Sequence, residues 1–335
     1  MKKIFVFAAF LGIIGFVSCN KSNPAPVAAE DEVNSDEIRF GLKPGSAFFN
    51  VEIIDTKATA ATSIASFKCG VTQGSAGSET NASPCWNNIV FTSDGAGTPT
   101  YTASPKKYWP LSNPNYNVYA AAATNGSAAA AAAEVSDLTF AAEGTTISLA
   151  AGVDKDVICA YEPVSDITWK TKNTLAFEHI FARVSTVKVS AVAPCAISNV
   201  TIVITNPKTG GTYNLRTGHG QNNGTGWSSL VPASGTQTVY TNAGAIASGS
   251  NHTGANNDFY IVPGTYTLTA TWTASVDDYS QTYNNMTSTG TIAIQGGKIN
   301  AIECNLSGDP NEVIFGVSIS EWGTNTISDV NFNHS

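Results

Sequence analysis

Four histidines, His179, His219, His252 and His334, are the side chains of this 335-residue chain best suited to acid–base or metal chemistry near neutral pH. They lie far apart, and Glu178-His179 is not followed by a second His at metalloprotease spacing. There is no G-x-S-x-G elbow and no EF-hand loop; Gly297-Lys298 lacks both the leading Gly and the trailing Ser or Thr of a phosphate loop. Asp277-Asp278 is an adjacent acidic pair of the second half, and it reads as a solvated loop. A hydrolase would need two carboxylates converging in a cleft, which distant strands can supply without a sequence motif. His179 sits in the apolar run Leu175 to Val184, where a buried, hydrogen-bonded structural histidine is the first reading and a catalytic one the second. No catalytic, cofactor-binding or metal residue is assigned, and no cofactor is expected.

Cysteine chemistry is equally sparse. Apart from Cys19, the thiols are Cys69, Cys85, Cys159, Cys195 and Cys304, an odd number with no C-x-x-C spacing for zinc or dithiol redox work. Cys69 and Cys85 flank the Gly/Ser-rich stretch Gly70 to Pro84 and form the most plausible local disulfide. A loop of that length corresponds to about 3 kcal/mol in the chain-entropy account.

The elements that carry these residues begin with an export signal. Lys2 and Lys3 precede the apolar run Ile4 to Val17, which is too short to span a bilayer and reads as a signal peptide over residues 1–18. Phe16-Val17-Ser18-Cys19 looks like a lipobox, making Cys19 the acylated N-terminus; ordinary cleavage leaving a free cysteine is the alternative. Stable anchoring takes two lipid chains, which a multiply acylated Cys19 would supply. Residues 19–35, rich in Pro, Ala, Ser and acidic side chains, read as a lipidated flexible tether. The remainder is long enough for two domains, placed at 36–165 and 166–335 with a boundary near Glu162 to Thr168. Charged residues are 13% of the chain and the net charge is -8, so no basic patch exists to bind nucleic acid.

Strand periodicity dominates the folded part. Tyr266, Leu268, Ala270 and Trp272 alternate with threonines from Thr265 to Thr273, predicting a half-buried strand. The same period runs through Ile38, Phe40 and Leu42, through Phe49, Val51 and Ile53, through Val187 and Val189, and through Phe315, Val317 and Ile319. Asn199 to Thr205 and Thr291 to Gln295 are β-branched runs, and Asn206-Pro207, Pro263-Gly264 and Gly296-Gly297 are turn signals. Two alanine runs depart from this: Ser127 is placed to cap a short helix through Ala128 to Glu134, with small-residue strands as the alternative. The prediction is an all-β chain of sandwich domains with short helical insertions.

Several local signatures then fall in order: Lys107-Tyr108-Trp109-Pro110, Asp156-Val157-Ile158-Cys159-Ala160, Phe177-Glu178-His179, Tyr260-Ile261-Val262-Pro263-Gly264 and a near-terminal Trp322. With the lipobox and Thr56-Lys57-Ala58, they resemble the landmarks of the fimbrillin, or Mfa-like, lipoproteins over nearly the whole mature chain. The resemblance implies two tandem transthyretin-like β-sandwich domains, an outer-membrane lipid anchor, and assembly with other subunits into type V pili. It also implies that a trypsin-like protease removes a first strand, whose place a donor strand takes, and an adhesion or biofilm role. In this sequence the plug strand would carry Ile38, Phe40 and Leu42, and the maturation cut would follow Lys57 or Arg39, where the family commonly has arginine. The thirteen residues after Trp322, with Val330 and Phe332 in alternation and Ile327 out of step, are all that remains for a separate C-terminal donor. Tip, accessory or anchor subunit is the alternative to a stalk subunit. A surface glycan-binding lipoprotein, with Trp86, Trp109 and Trp227 stacking on sugars, is a reading from another class.

Overall fold

Residues Gly264–Val276 show how the strands arise: every second side chain from Tyr266 to Ala274 is buried while the intervening threonines and Ser275 stay at least partly in water. A strand with one face on a core requires that two-residue period. The computed structural model describes residues 39–41, 63–74, 84–93, 100–107, 115–123, 132–133, 138–150, 156–164, 172–233, 235–254, 259–276, 281–321 and 325–331. All of them fall within the compact unit Asn34–Ser335.

In chain order the first strands are β1 (Arg39–Gly41), β2 (Ser63–Ile64), β3 (Ser66–Gln73), β4 (Trp86–Ser93), β5 (Thr100–Ala103), β6 (Tyr116–Ala123), β7 (Ala132–Ala133) and β8 (Thr139–Phe140). They are followed by β9 (Thr146–Leu149), β10 (Val157–Val164), β11 (Lys172–His179), β12 (Ala182–Ala191), β13 (Cys195–Thr205) and β14 (Lys208–Asn214). A one-turn helix, α1 (Leu215–Gly218), precedes β15 (Trp227–Pro232), β16 (Thr236–Asn242), β17 (Asn251–Thr253), β18 (Phe259–Ile261) and β19 (Gly264–Val276). The chain then runs through β20 (Gln281–Ile294), β21 (Lys298–Leu306), a 3-10 turn at Pro310–Glu312, β22 (Ile314–Glu321) and β23 (Asn325–Asn331).

Three cores organise these strands. The order β1-β23-β11-β10-β6-β3-β4-β5 returns on itself, because β1 also pairs with β5, and inward side chains of β3, β4, β5, β6, β10 and β11 share one core. Phe67 is its hub, stacked on Phe91 at 5.3 Å between ring centroids and edge-on to Phe177 at 5.5 Å. A second core lies between the sheets β17-β12-β21-β22 and β16-β13-β19-β20, a sandwich whose strands come from residues 182–321. The third lies over the outer side of β6 and β10, where Tyr119, Ala121, Val157 and Cys159 meet Phe140, Ile147, Tyr213, Tyr260 and Val262. The protein is an all-β sandwich structure with little helix, in line with the sequence expectation.

The alanine runs correct one expectation. Ala120–Ala123 are strand residues of β6, buried on both faces, and Ala132–Ala133 form β7, paired in parallel with β2. The predicted helix Ala128–Glu134 is therefore not formed at Ala132–Ala133; its other residues lie outside the described ones. Alanine's helix preference is worth less than a kcal/mol per residue, and tertiary packing overrides it. Here the small side chain lets β6 lie between β3 and β10, Ala120 opposite Cys69 and Ala122 opposite Ile158.

The expected domain boundary near Glu162 to Thr168 begins inside β10, which pairs with β11 through Ile158–His179 and Cys159–Glu178. Side chains pass from the ring core at Phe177 to the sandwich core at Ala182.

Candidate functional site

Two of the landmark segments meet where the chain crosses between cores. Asp156 immediately precedes β10 and His179 ends β11; the Ile158–His179 rung brings them together, with His179 Nδ1 3.0 Å from Asp156 Oδ1 and 3.0 Å from Oδ2. Both side chains are buried. The Ile180 amide donates to the Val157 carbonyl, and the Gly297 amide donates to the Phe181 carbonyl. A third landmark joins them: Tyr260 and Val262 pack in the same outer core as Val157, Cys159 and Ile180. The structural role for His179 is therefore the one its surroundings support, since a buried polar side chain needs a partner and Asp156 supplies it. Sequence reading missed Asp156 as that partner, because no spacing rule links residues 23 apart on different strands.

The other histidines are elsewhere. His219 Nδ1 is 3.5 Å from Glu178 Oε2, an oxygen that also accepts from the Gly220 amide, and His252 Nδ1 is 2.8 Å from the Tyr240 hydroxyl. His334, Asp277 and Asp278 lie outside the described residues. Among the described residues no three of His, Cys, Asp and Glu gather as a metal ion would require.

The thiols overturn the proposed disulfide. Cys69 and Cys85 are both free, as are Cys159, Cys195 and Cys304. The β3–β4 ladder places Cys69 opposite Ile89, and Cys85 lies one step beyond the Val71–Trp86 rung. About three residues of strand, roughly 10 Å, separate the two along the ladder, and a disulfide tolerates Cα atoms only up to about 7 Å apart. Burial pushes the Cys69 and Cys159 thiols well above the ordinary range, Glu178 and Asp156 adding to the effect at Cys159, and burial pushes Cys304 up to about 12. Inert, protonated thiols in apolar surroundings are the consequence.

The aromatic platform fares no better. Trp86 is half-buried against the ring core. Trp227 is half-buried too, its ring 4.9 Å from Phe181 and 5.0 Å from Tyr213 and its indole N–H donating to the Ile180 carbonyl at 3.3 Å. Each belongs to a different core, so they form no shared sugar-stacking row. Trp109 lies outside the described residues.

What remains as a site is the place of β1. Arg39 pairs with Thr102 on one side and Asn331 on the other, Phe40 with Tyr101 and Val330, and Gly41 with Thr100. The first strand thus lies between β5 and the C-terminal β23, and β23 in turn pairs with β11. Tyr101, opposite Phe40, is fully buried in the ring core, tilted on Phe67 at 5.4 Å. Cys19, Ile38, Leu42 and Lys57 lie outside the described residues.

The sequence profile described as "Fimbrillin-like" matches residues 56–322, most of the chain. The chain belongs to the fimbrillin-like family. A comparison with curated proteins finds no match. Among solved structures, a fimbrial protein from Bacteroides vulgatus shares 10% identity, with 77% of this chain and 92% of that one covered and a TM-score of 0.48. A protein from Parabacteroides distasonis, provisionally labelled a cell adhesion protein, shares 8% identity over 87% of this chain and 98% of that one, with a TM-score of 0.49. Another with the same provisional label, from Bacteroides uniformis, shares 14% identity over 85% and 98%, with a TM-score of 0.39. The family assignment of this fimbrillin-like chain rests on the sequence match.

Proposed function

We propose that this fimbrillin-like protein is a structural subunit of a cell-surface pilus, held to the outer membrane through acylated Cys19 until assembly and joined to its neighbours by donor-strand exchange. The observation that carries this reading is the position of β1, a short N-terminal strand paired on both sides over a fully buried aromatic. Excising it would leave the facing edges of β5 and β23 unpaired above apolar side chains. Each restored hydrogen bond contributes about 1 kcal/mol net, and burial of apolar area adds roughly 25 cal/mol per Å². An extended segment of another subunit is the partner such a gap accepts. The family has two domains in this reading, and we place their boundary at the crossing Ile180–Ala182. Binding and scaffolding, not catalysis, is the role assigned, and the Asp156–His179 pair serves the junction.

Incubating purified precursor with a trypsin-like protease tests the proposal. A protease cuts extended, unpaired chain, so Arg39, paired on both edges, should resist the cut, and Lys57 is the proposed site. The expected product begins at Ala58 and forms a ladder of detergent-resistant oligomers. A product that stays monomeric after cleavage would overturn the pilus reading in favour of a non-polymerising surface lipoprotein.

The anchor has its own test. Cys19→Ala should move the protein from the membrane to the soluble fraction, because a chain without acyl groups loses about 0.8 kcal/mol of membrane affinity per buried methylene. Retention in the membrane would refute acylation at Cys19.

A further inference from the structure

The chain contains a single Asp-Pro bond, Asp309–Pro310, and it stands between β21 and β22. The turn around it is organised on the Asp309 carbonyl. That oxygen accepts from the Ser307 hydroxyl at 2.7 Å and from the Glu312 amide at 3.1 Å. The hydroxyl is itself held in place. Ser307 is buried, its Oγ accepts from the Asp309 amide at 2.9 Å, and its carbonyl accepts from the Trp272 indole at 3.0 Å. On the Asp309 carboxylate, Oδ1 caps the 3-10 turn, accepting from the Asn311 amide at 2.8 Å and from Asn311 Nδ2 at 2.9 Å. The cap occupies Oδ1 and leaves Oδ2 for other chemistry. Asp309 is exposed, so water reaches the bond.

We infer that Asp309–Pro310 is a site of self-cleavage, where the chain is cut without a protease. Oδ2 attacks the Asp309 carbonyl carbon and closes a cyclic anhydride. Charge then develops on the carbonyl oxygen, where the Ser307 hydroxyl and the Glu312 amide already point, as in an oxyanion hole. The C–N bond to Pro310 breaks, and the nitrogen leaves with a proton taken from water. Proline suits that role, because it has no N–H and its tertiary nitrogen is more basic than that of an ordinary peptide. Water opens the anhydride, so the net reaction is hydrolysis of one peptide bond. A proton must reach the leaving nitrogen, so mild acid favours the step. Glu312 is the other charged side chain of the turn; β13, β19 and β20, which pack against it, carry no Asp, Glu, Lys, Arg or His. The cut leaves β22 paired with β21, and β23 paired with β11 and β1, but joined to them by no covalent bond. Residues 310–335 become a separate piece that strands of another subunit can displace; that use alone rests on the pilus reading.

Full-length Cys19→Ala protein, kept warm at mildly acidic pH with protease inhibitors and sampled by intact mass over days, tests the inference. Two fragments should accumulate, one ending at Asp309 and one beginning at Pro310, together heavier than the parent by one water. A synthetic peptide of residues 305–313 carries the same bond without the fold and should be cut at least tenfold more slowly. Asp309→Asn, which keeps the shape but weakens the nucleophile, should slow scission at least tenfold, and Pro310→Ala should abolish it. Ser307→Ala should slow it by about tenfold or more, since losing one oxyanion donor costs about that or above; if this variant fails to fold, the peptide comparison carries the test. A parent that stays intact, or is cut no faster than the peptide, overturns the inference. So does a folded variant at Asp309 or Ser307 that is cut at the parental rate. Scission is read on the unassembled monomer, so failure of protease-triggered assembly leaves the result unaffected.

Discussion

Trp272→Ala is expected to destabilise the protein by about 3–5 kcal/mol, the range for deleting a buried aromatic side chain. Trp272 is fully buried in the sandwich core, at the Met286 rung of the β19–β20 ladder. Its indole N–H donates to the Ser307 carbonyl at 3.0 Å, just past the end of β21, so the residue ties one sheet of the sandwich to the other. Alanine would leave a cavity that a close-packed interior fills only in part, and would orphan the Ser307 carbonyl. Trp272→Phe separates the two contributions: most of the volume stays, the donor is lost, and about 1–3 kcal/mol is expected. Urea unfolding checks both, as a lower midpoint at constant slope. An alanine variant that unfolds within about 1 kcal/mol of the parent would show that this tryptophan does not hold the sheets together.

Asp156→Ala should cost about 3 kcal/mol, because removing one member of a buried polar pair leaves the other without that compensation in a low-dielectric site. The pair stands at the crossing between cores, so the loss is expected as earlier, separate unfolding of the ring and sandwich parts as well as a lower midpoint. Asp156→Asn keeps an acceptor of the same shape for His179 and should cost clearly less. The two variants are compared by thermal unfolding followed at two wavelengths and by limited proteolysis near residues 180–182. Equal effects of Ala and Asn would show that the space filled by the side chain matters and its oxygen does not. A single, unchanged transition in Asp156→Ala would remove the pair from the junction.

Local pattern was a sufficient guide wherever one face of a strand meets a core and the other meets water. Residues 264–276 alternate apolar and hydroxyl side chains, and the fold keeps that alternation residue for residue, because a strand has only two faces and a one-residue slip would expose the whole apolar row. At β6 the same logic failed. Tyr116–Ala123 is buried on both faces, so no alternation exists to read, and at Ala132–Ala133 of β7 alanine's own helical preference pointed the wrong way. Phe315, Val317 and Ile319 also alternate, yet Ile319 is 42% exposed while Phe315 and Val317 pack on the sandwich core, since β22 is the outer strand of its sheet.

The sequence by itself determined the all-β class, the alternating strand Gly264–Val276, the resemblance to fimbrillins and the lack of a catalytic motif, because each is a matter of composition or of neighbours within a few residues. Only the tertiary structure decided what pairs with what. Cys69 and Cys85 are close in sequence but rungs apart in the ladder, whereas Asp156 and His179, or Arg39 and Asn331, are distant in sequence and adjacent in space. The same holds for the sheet β16-β13-β19-β20: its strands carry threonines one by one, but Thr241, Thr201, Thr271 and Thr287 stand in one rank only through the register between strands. Register is set by which apolar rows bury together, a property of the whole core that no single segment contains.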